Sequence, residues 1–250
     1  MSDRTPSNSP TVVLVHGAFA DGSSWNGVIE RLQARGVQVT APANPLRGIS
    51  VDSTYTASVF EQTPGPVLAV GHSYGGAVIT NAAARVDNVV GLVYVAAFAP
   101  DEGERLGDAT AASKDAVLNS ALVPRSYLSH DNEEPLVEFM IDPARVHDVF
   151  AADLPEGLAA LAGATQRPVA ELAFSEPSGA PAWKDLPAWA VVALSDKAAG
   201  TDVVRSMAER AGATITEVEG SHVIMISQPD AVTEVITNAL AAVEAPAPVG

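Results

Sequence analysis

Short runs of β-branched and other apolar residues recur along the chain, at 12–15, 37–40, 67–70, 89–95, 189–194 and 214–218. Most are continuous rather than alternating, the pattern of buried strands in a parallel sheet covered on both faces. Helix-like stretches lie between them, at 24–35, 54–62, 75–85, 202–210 and 230–243. In the first of these Trp25, Val28, Ile29 and Leu32 recur at helical spacing, and Gly36 stands where a C-cap belongs. Repeated strand–helix alternation builds βαβ units with right-handed crossovers. The expected fold class is therefore α/β, a three-layer sandwich around a mostly parallel central sheet.

The alternation fails between about 101 and 183. That segment is rich in Ala, Leu and acidic residues, with Pro at 124, 135, 143, 155, 168, 177 and 181. Short helices separated by Pro-terminated loops, without strands, are expected there. The expected organisation is a core over 11–100 and 184–243, a helical cap insertion over 101–183, and flexible tails at 1–10 and 244–250.

Composition removes several function classes. With 14 Lys+Arg against 30 Asp+Glu the formal charge is −16, which repels nucleic acid and anionic membrane at long range. The absence of Cys excludes disulfides, thiolate metal sites and a cysteine nucleophile. No apolar run approaches the ~20 residues of a membrane span, and the polar first ten residues lack a signal-peptide core. A cytoplasmic protein acting on a small molecule is expected, with homodimerisation left open.

The most specific local signal is Gly71-His72-Ser73-Tyr74-Gly75, directly after one expected strand and directly before one expected helix. A strand-to-helix turn this sharp forces Ser73 into a strained backbone conformation and projects its hydroxyl beyond the sheet. The hydroxyl then sits at a helix N-terminus, where free N–H groups favour developing negative charge. At the end of the first strand, His16-Gly17-Ala18-Phe19 forms a loop able to aim a backbone N–H at the same point. Ala18 and Tyr74 are the expected oxyanion donors, with Phe19 the alternative to Ala18.

A serine hydroxyl needs a base. His72 and His16 read as packed residues, and His130 and His147 fall in the insertion. His222, in Glu219-Gly220-Ser221-His222 after the last strand, is the expected base. Its orienting acid is expected to be Asp196, at the C-terminal end of the strand over 189–194, with Asp101 as the rival. The chain order Ser73, Asp196, His222 suits this fold.

Five blocks, HGAFADGSSW (16–25), GHSYGG (71–76), VYVAAFAPDEG (93–103), PAWKDLPAWAVVALSDK (181–197) and EGSHVIMISQPDAV (219–232), together resemble the α/β-hydrolase superfamily. The similarity is to the cofactor-free group that contains methyl esterases, hydroxynitrile lyases and bacterial esterase relatives, and it weakens over 104–180. Lyases of that group carry a hydroxyl residue where this chain has Gly17 and a lysine where it has Val223. The resemblance therefore implies hydrolysis of small, largely apolar carboxylic esters through an acyl-enzyme, with no cofactor and no metal. Perhydrolase, lactonase or lyase-like chemistry on the same triad, or a ligand receptor on the same fold, are the alternatives.

Overall fold

A computed structural model describes residues 9–129 and 134–244. The strands are β1 (Thr11–Val15), β2 (Val39–Thr40), β3 (Val67–His72), β4 (Val89–Val95), β5 (Leu122–Tyr127), β6 (Leu136–Ile141), β7 (Val169–Ala170), β8 (Ala188–Ala193) and β9 (Thr214–Val218). The α-helices are α1 (Asn26–Ala34), α2 (Ile49–Gln62), α3 (Tyr74–Ala83), α4 (Leu106–Ala112), α5 (Val146–Val149), α6 (Glu156–Thr165), α7 (Leu172–Ser175), α8 (Thr201–Arg210), α9 (Ile224–Ser227) and α10 (Pro229–Glu244).

Six strands form one parallel sheet in the order β2-β1-β3-β4-β8-β9, as the apolar runs require. Helix α1 packs against α10, and α2 against α3. The chain leaves β1 toward β2 on one side and returns to β3 on the other. The loops after β1 and β3 therefore diverge at the carboxyl edge of the sheet, where open α/β sheets hold their ligands. Burial follows position in the sheet: β3 is buried throughout, whereas β9, an edge strand, exposes three of its five residues. The expectation that the run at 214–218 is buried fails because an edge strand has a neighbour on one side only.

Helix α2 begins at Ile49 rather than at 54. Its buried face is Ile49, Asp52, Ser53, Thr56, Ala57 and Phe60. The spacing is helical, but three of the six are polar, so the hydrophobic period is invisible in the sequence.

The insertion between β4 and β8 corrects a second expectation. It holds α4, α5, α6 and α7, as anticipated, but it is not purely helical. Strands β5, β6 and β7 form a three-stranded antiparallel sheet, paired from Leu122↔Ile141 to Tyr127↔Leu136 and at Phe139↔Val169. Pro124 lies inside β5, and β5 is an edge strand, where a missing N–H is tolerated. Of the expected tails, 1–8 and 245–250 lie outside the described residues, as does His130.

Candidate active site

Ser73 sits between the last residue of β3 and the first of α3, at φ 53° and ψ −124°. A positive φ strains a residue with a side chain, and the surrounding bonds hold it there. Its N–H donates to the Val95 carbonyl (3.3 Å), and its carbonyl accepts from Gly76 N–H (2.9 Å) and Phe98 N–H (3.2 Å). The turn closes only because position 75 has no side chain: a Cβ there would lie 2.3 Å from the Val15 carbonyl oxygen. Ser73 is 7% exposed.

Ala18, Phe19, Ser73, Tyr74 and His222 line one enclosed cavity. The His222 ring is oriented from behind. Its Nδ1 bonds the Asp196 Oδ2 at 2.8 Å, and both side chains are buried. The other Asp196 oxygen accepts from the N–H groups of Ala198 (2.8 Å) and Ala199 (3.0 Å). A carboxylate so placed keeps the ring proton on Nδ1 and leaves Nε2 as the lone-pair nitrogen, the form a general base needs. Asp101, the rival acid, is on the surface with the Lys184 ammonium at 2.7 Å.

Two further anchors hold the histidine loop, and neither was read from the sequence. His72 is wholly buried, and its Nε2–H donates to the His222 carbonyl (3.0 Å). Burial, reinforced by the neighbouring His222, holds His72 well below the usual histidine pKa, so it stays neutral. From the insertion, the Asp153 carboxylate accepts from Ser221 N–H (2.9 Å) and from the Ser221 hydroxyl. Partial burial opposes the charge on Asp153, but the hydrogen bonds from Ser221 and the nearby Ser227 hydroxyl dipole outweigh it, and its pKa is lowered.

The loop after β1 is held with equal care. His16 is buried; its Nδ1–H donates to the Gly17 carbonyl (2.9 Å), and its Nε2 accepts from Asn44 N–H (2.9 Å). The Asn44 amide in turn donates to the His16 carbonyl (3.0 Å). His16 is thus a structural residue, as its place in the sequence implied. Phe19 takes a positive φ of 61°. Next to Ser73, the Tyr74 hydroxyl donates to buried Asp52 (2.7 Å), which also accepts from Arg47 N–H (3.0 and 3.1 Å). Burial raises the pKa of Asp52, and burial together with the Asp52 carboxylate pushes Tyr74 well up.

The insertion completes the cavity with Leu118, Leu122, Phe150 and Phe174. The aromatic lining also includes Phe19 and Tyr74 from the sheet core. Trp25 is buried edge-on to His72, Phe139 packs on Phe174, and the Trp183 indole N–H donates to the Pro100 carbonyl. The enclosed space is about 20 Å³, room for about one water molecule, so a bound acyl group requires a wall to move. His147 bonds the Leu154 carbonyl (3.0 Å), away from these groups. Among the described residues no cluster of three or more His, Cys, Asp or Glu could hold a metal ion. No helix among them is long and apolar enough to cross a membrane.

A parallel sheet with a strained serine at its switch point and a buried His–Asp pair beside it defines a class. Residues 12–235 match the model of the Alpha/beta hydrolase family, and the chain belongs to that family. It is 25% identical over 255 residues to Alpha/beta hydrolase nvfD of Aspergillus novofumigatus, covering 92% of this chain and 96% of that one. It is 35% identical over 107 residues to the carbendazim hydrolyzing esterase of a Nocardioides species, covering 38% of this chain and 44% of the relative. Among solved structures, a pyrethroid hydrolase from Sphingobium faniae superposes with a TM-score of 0.75 at 21% identity, over 93% of this chain and 98% of the other.

Proposed function

We propose that the protein is a serine esterase cleaving small, largely apolar, uncharged carboxylic esters through an acyl-enzyme. The observation that carries this reading is the buried 2.8 Å His222–Asp196 bond beside a serine held at positive φ, both His222 and Ser73 facing one cavity. His222 Nε2 takes the proton of Ser73 as its Oγ attacks the ester carbonyl. The backbone N–H groups of Ala18 and Tyr74 receive the oxyanion. His222 then protonates the leaving alcohol, and the same base activates the water that releases the acid and restores Ser73. Asp196 holds the ring and stabilises its charged form throughout. The 101–183 segment acts as a cap that supplies the apolar walls.

Two further observations support hydrolysis over lyase chemistry. A Cβ at Gly17 would lie 2.7 Å from the Ser73 Cβ, so no hydroxyl side chain fits at that position. Val223, beside the base, carries no charge for a departing anion. Esterase and pyrethroid hydrolase relatives are consistent with this reading, and the −16 charge disfavours anionic substrates.

The test is hydrolysis of p-nitrophenyl esters from acetate to octanoate, with Ser73→Ala assayed in parallel. The expected result is turnover in the wild type that drops by about 10⁴-fold or more in the variant, with an optimum at short acyl chains. Turnover that survives in Ser73→Ala, or no turnover on any ester by the folded wild type, overturns the reading.

A further inference from the structure

Beyond the enclosed cavity lies a second, open space of about 200 Å³. The two share a wall, the edge-to-face pair of Phe19 and Phe150, whose ring centroids are 6.2 Å apart. One side of the outer groove is the face of α6 that carries Leu158, Leu161, Ala162 and Thr165, positions spaced i, i+3, i+4 and i+7 and so aligned along the helix. Leu158 is 48% and Leu161 61% exposed. Helix α6 thus turns part of its apolar face toward the groove instead of the core. The opposite side is formed by Val223, Met225 and Ile226, the chain that directly follows His222.

That placement distinguishes the two halves of an ester. The leaving oxygen must face His222 to be protonated, so the alcohol moiety extends past the histidine. The acyl moiety extends the other way, toward Phe98, Leu118 and Phe174, which line the enclosed cavity but not the groove. The groove's walls are the residues after His222 and the Phe150 ring, which lies 5.2 Å from the His222 ring. A cavity of roughly 150 Å³ with aliphatic walls holds benzene, so this groove has room for a phenyl group or a C6 chain. Asp21 is among the residues that line it, and its negative charge disfavours an anionic occupant.

Resting on the esterase reading above, we propose that the groove between α6 and the segment after His222 is the alcohol subsite. Its occupant is the uncharged aryl or C6-sized alcohol moiety of the ester attacked by Ser73. The enzyme is therefore selective for esters of large apolar alcohols with short acyl groups.

The experiment compares wild type, Ala162→Phe, which fills the groove, and Leu161→Ser, which removes apolar lining at an exposed position. Two substrate series are used: acetates of methyl, butyl, hexyl and benzyl alcohol, and ethyl esters from acetate to octanoate, both followed by acid release. In the wild type kcat/KM rises from methyl to benzyl acetate. Ala162→Phe lowers the benzyl-to-methyl ratio by about tenfold or more, Leu161→Ser lowers it less, and neither alters the acyl-length profile. If the variants shift the acyl profile instead, or if both ratios stay at their wild-type values, the assignment is overturned. Should Ala162→Phe fail to fold, as read by circular dichroism, Leu161→Ser decides alone. Wild-type hydrolysis that does not depend on Ser73 is a different failure, since it removes the esterase reading itself and the subsite with it.

Discussion

In the central sheet β3 buries all six of its residues and α3 all ten, whereas β5 of the insertion exposes four of six. The two regions close on the same cavity with different means. The sheet core contributes Ser73, His222, Asp196 and the loops that carry the candidate oxyanion donors, each fixed by buried hydrogen bonds or by backbone contact without slack. The insertion contributes apolar walls and one carboxylate, Asp153, from a sheet and short helices that are half open to water. Chemistry needs groups held to fractions of an ångström, and close packing supplies that. On the esterase reading, the insertion's walls shape the substrate and have to yield, because the enclosed space is only about 20 Å³.

The sharpest way to break this contrast is a pair of glycine substitutions. Gly75→Ala drives a Cβ into the Val15 carbonyl at 2.3 Å, and is expected to cost about 3 kcal/mol or more together with most activity. Gly157→Ala, in α6, meets nothing within 4 Å, and is expected to stabilise by about 0.5–1 kcal/mol through helix propensity alone. Urea midpoints of the two variants measure this directly. Equal midpoints would mean that the elbow yields as readily as the insertion does.

A second probe is pH. The pKa of His72 is depressed in the folded state by burial, so below its unfolded value of about 6.5 the unfolded chain binds the extra proton. Stability is fully present above that pH and falls as pH drops below it, by up to about 1.4 kcal/mol per unit for one such group. The His72→Gln variant is expected to flatten the dependence of the urea midpoint between pH 6.5 and 5. An unchanged slope would move the titration to another group, with His16, also depressed by burial, next in line.

The smallest effect belongs to the tie between the two regions. Asp153 is solvent-facing, so losing its bonds to Ser221 in Asp153→Ala is expected to cost only about 1 kcal/mol at pH 7. Its folded pKa lies below the unfolded value, so that contribution is present above about pH 4 and lost as pH falls further. A parallel drop in kcat with little change in KM would show that the insertion steadies the histidine loop. A change confined to KM would make Asp153 part of the wall instead.

Much of the core was legible in the chain because its signals are local. Buried parallel strands advertise themselves as continuous apolar runs, and Gly71–Gly75 between strand and helix names Ser73 within five residues. Elsewhere the signals were masked. The first turn of α2 hides behind buried Asp52 and Ser53, whose partners are backbone and side-chain groups brought in by folding. The insertion's sheet hides because a half-exposed strand such as β5, with Pro124 inside it, has neither the continuous nor the alternating pattern.

By itself, then, the sequence determined the α/β class and the serine at the turn after β3, and it offered Ser73, Asp196 and His222 as candidate nucleophile, acid and base, since each rests on the local period of the chain or on position after a strand. Only the tertiary structure decided that Asp196 rather than Asp101 meets His222, that Asn44 holds His16 and that Asp153 grips Ser221. Those pairs lie 26, 28 and 68 residues apart. A hydrogen bond across such a separation exists only once the buried sheet has fixed where each loop ends, and no local pattern of residue types encodes it.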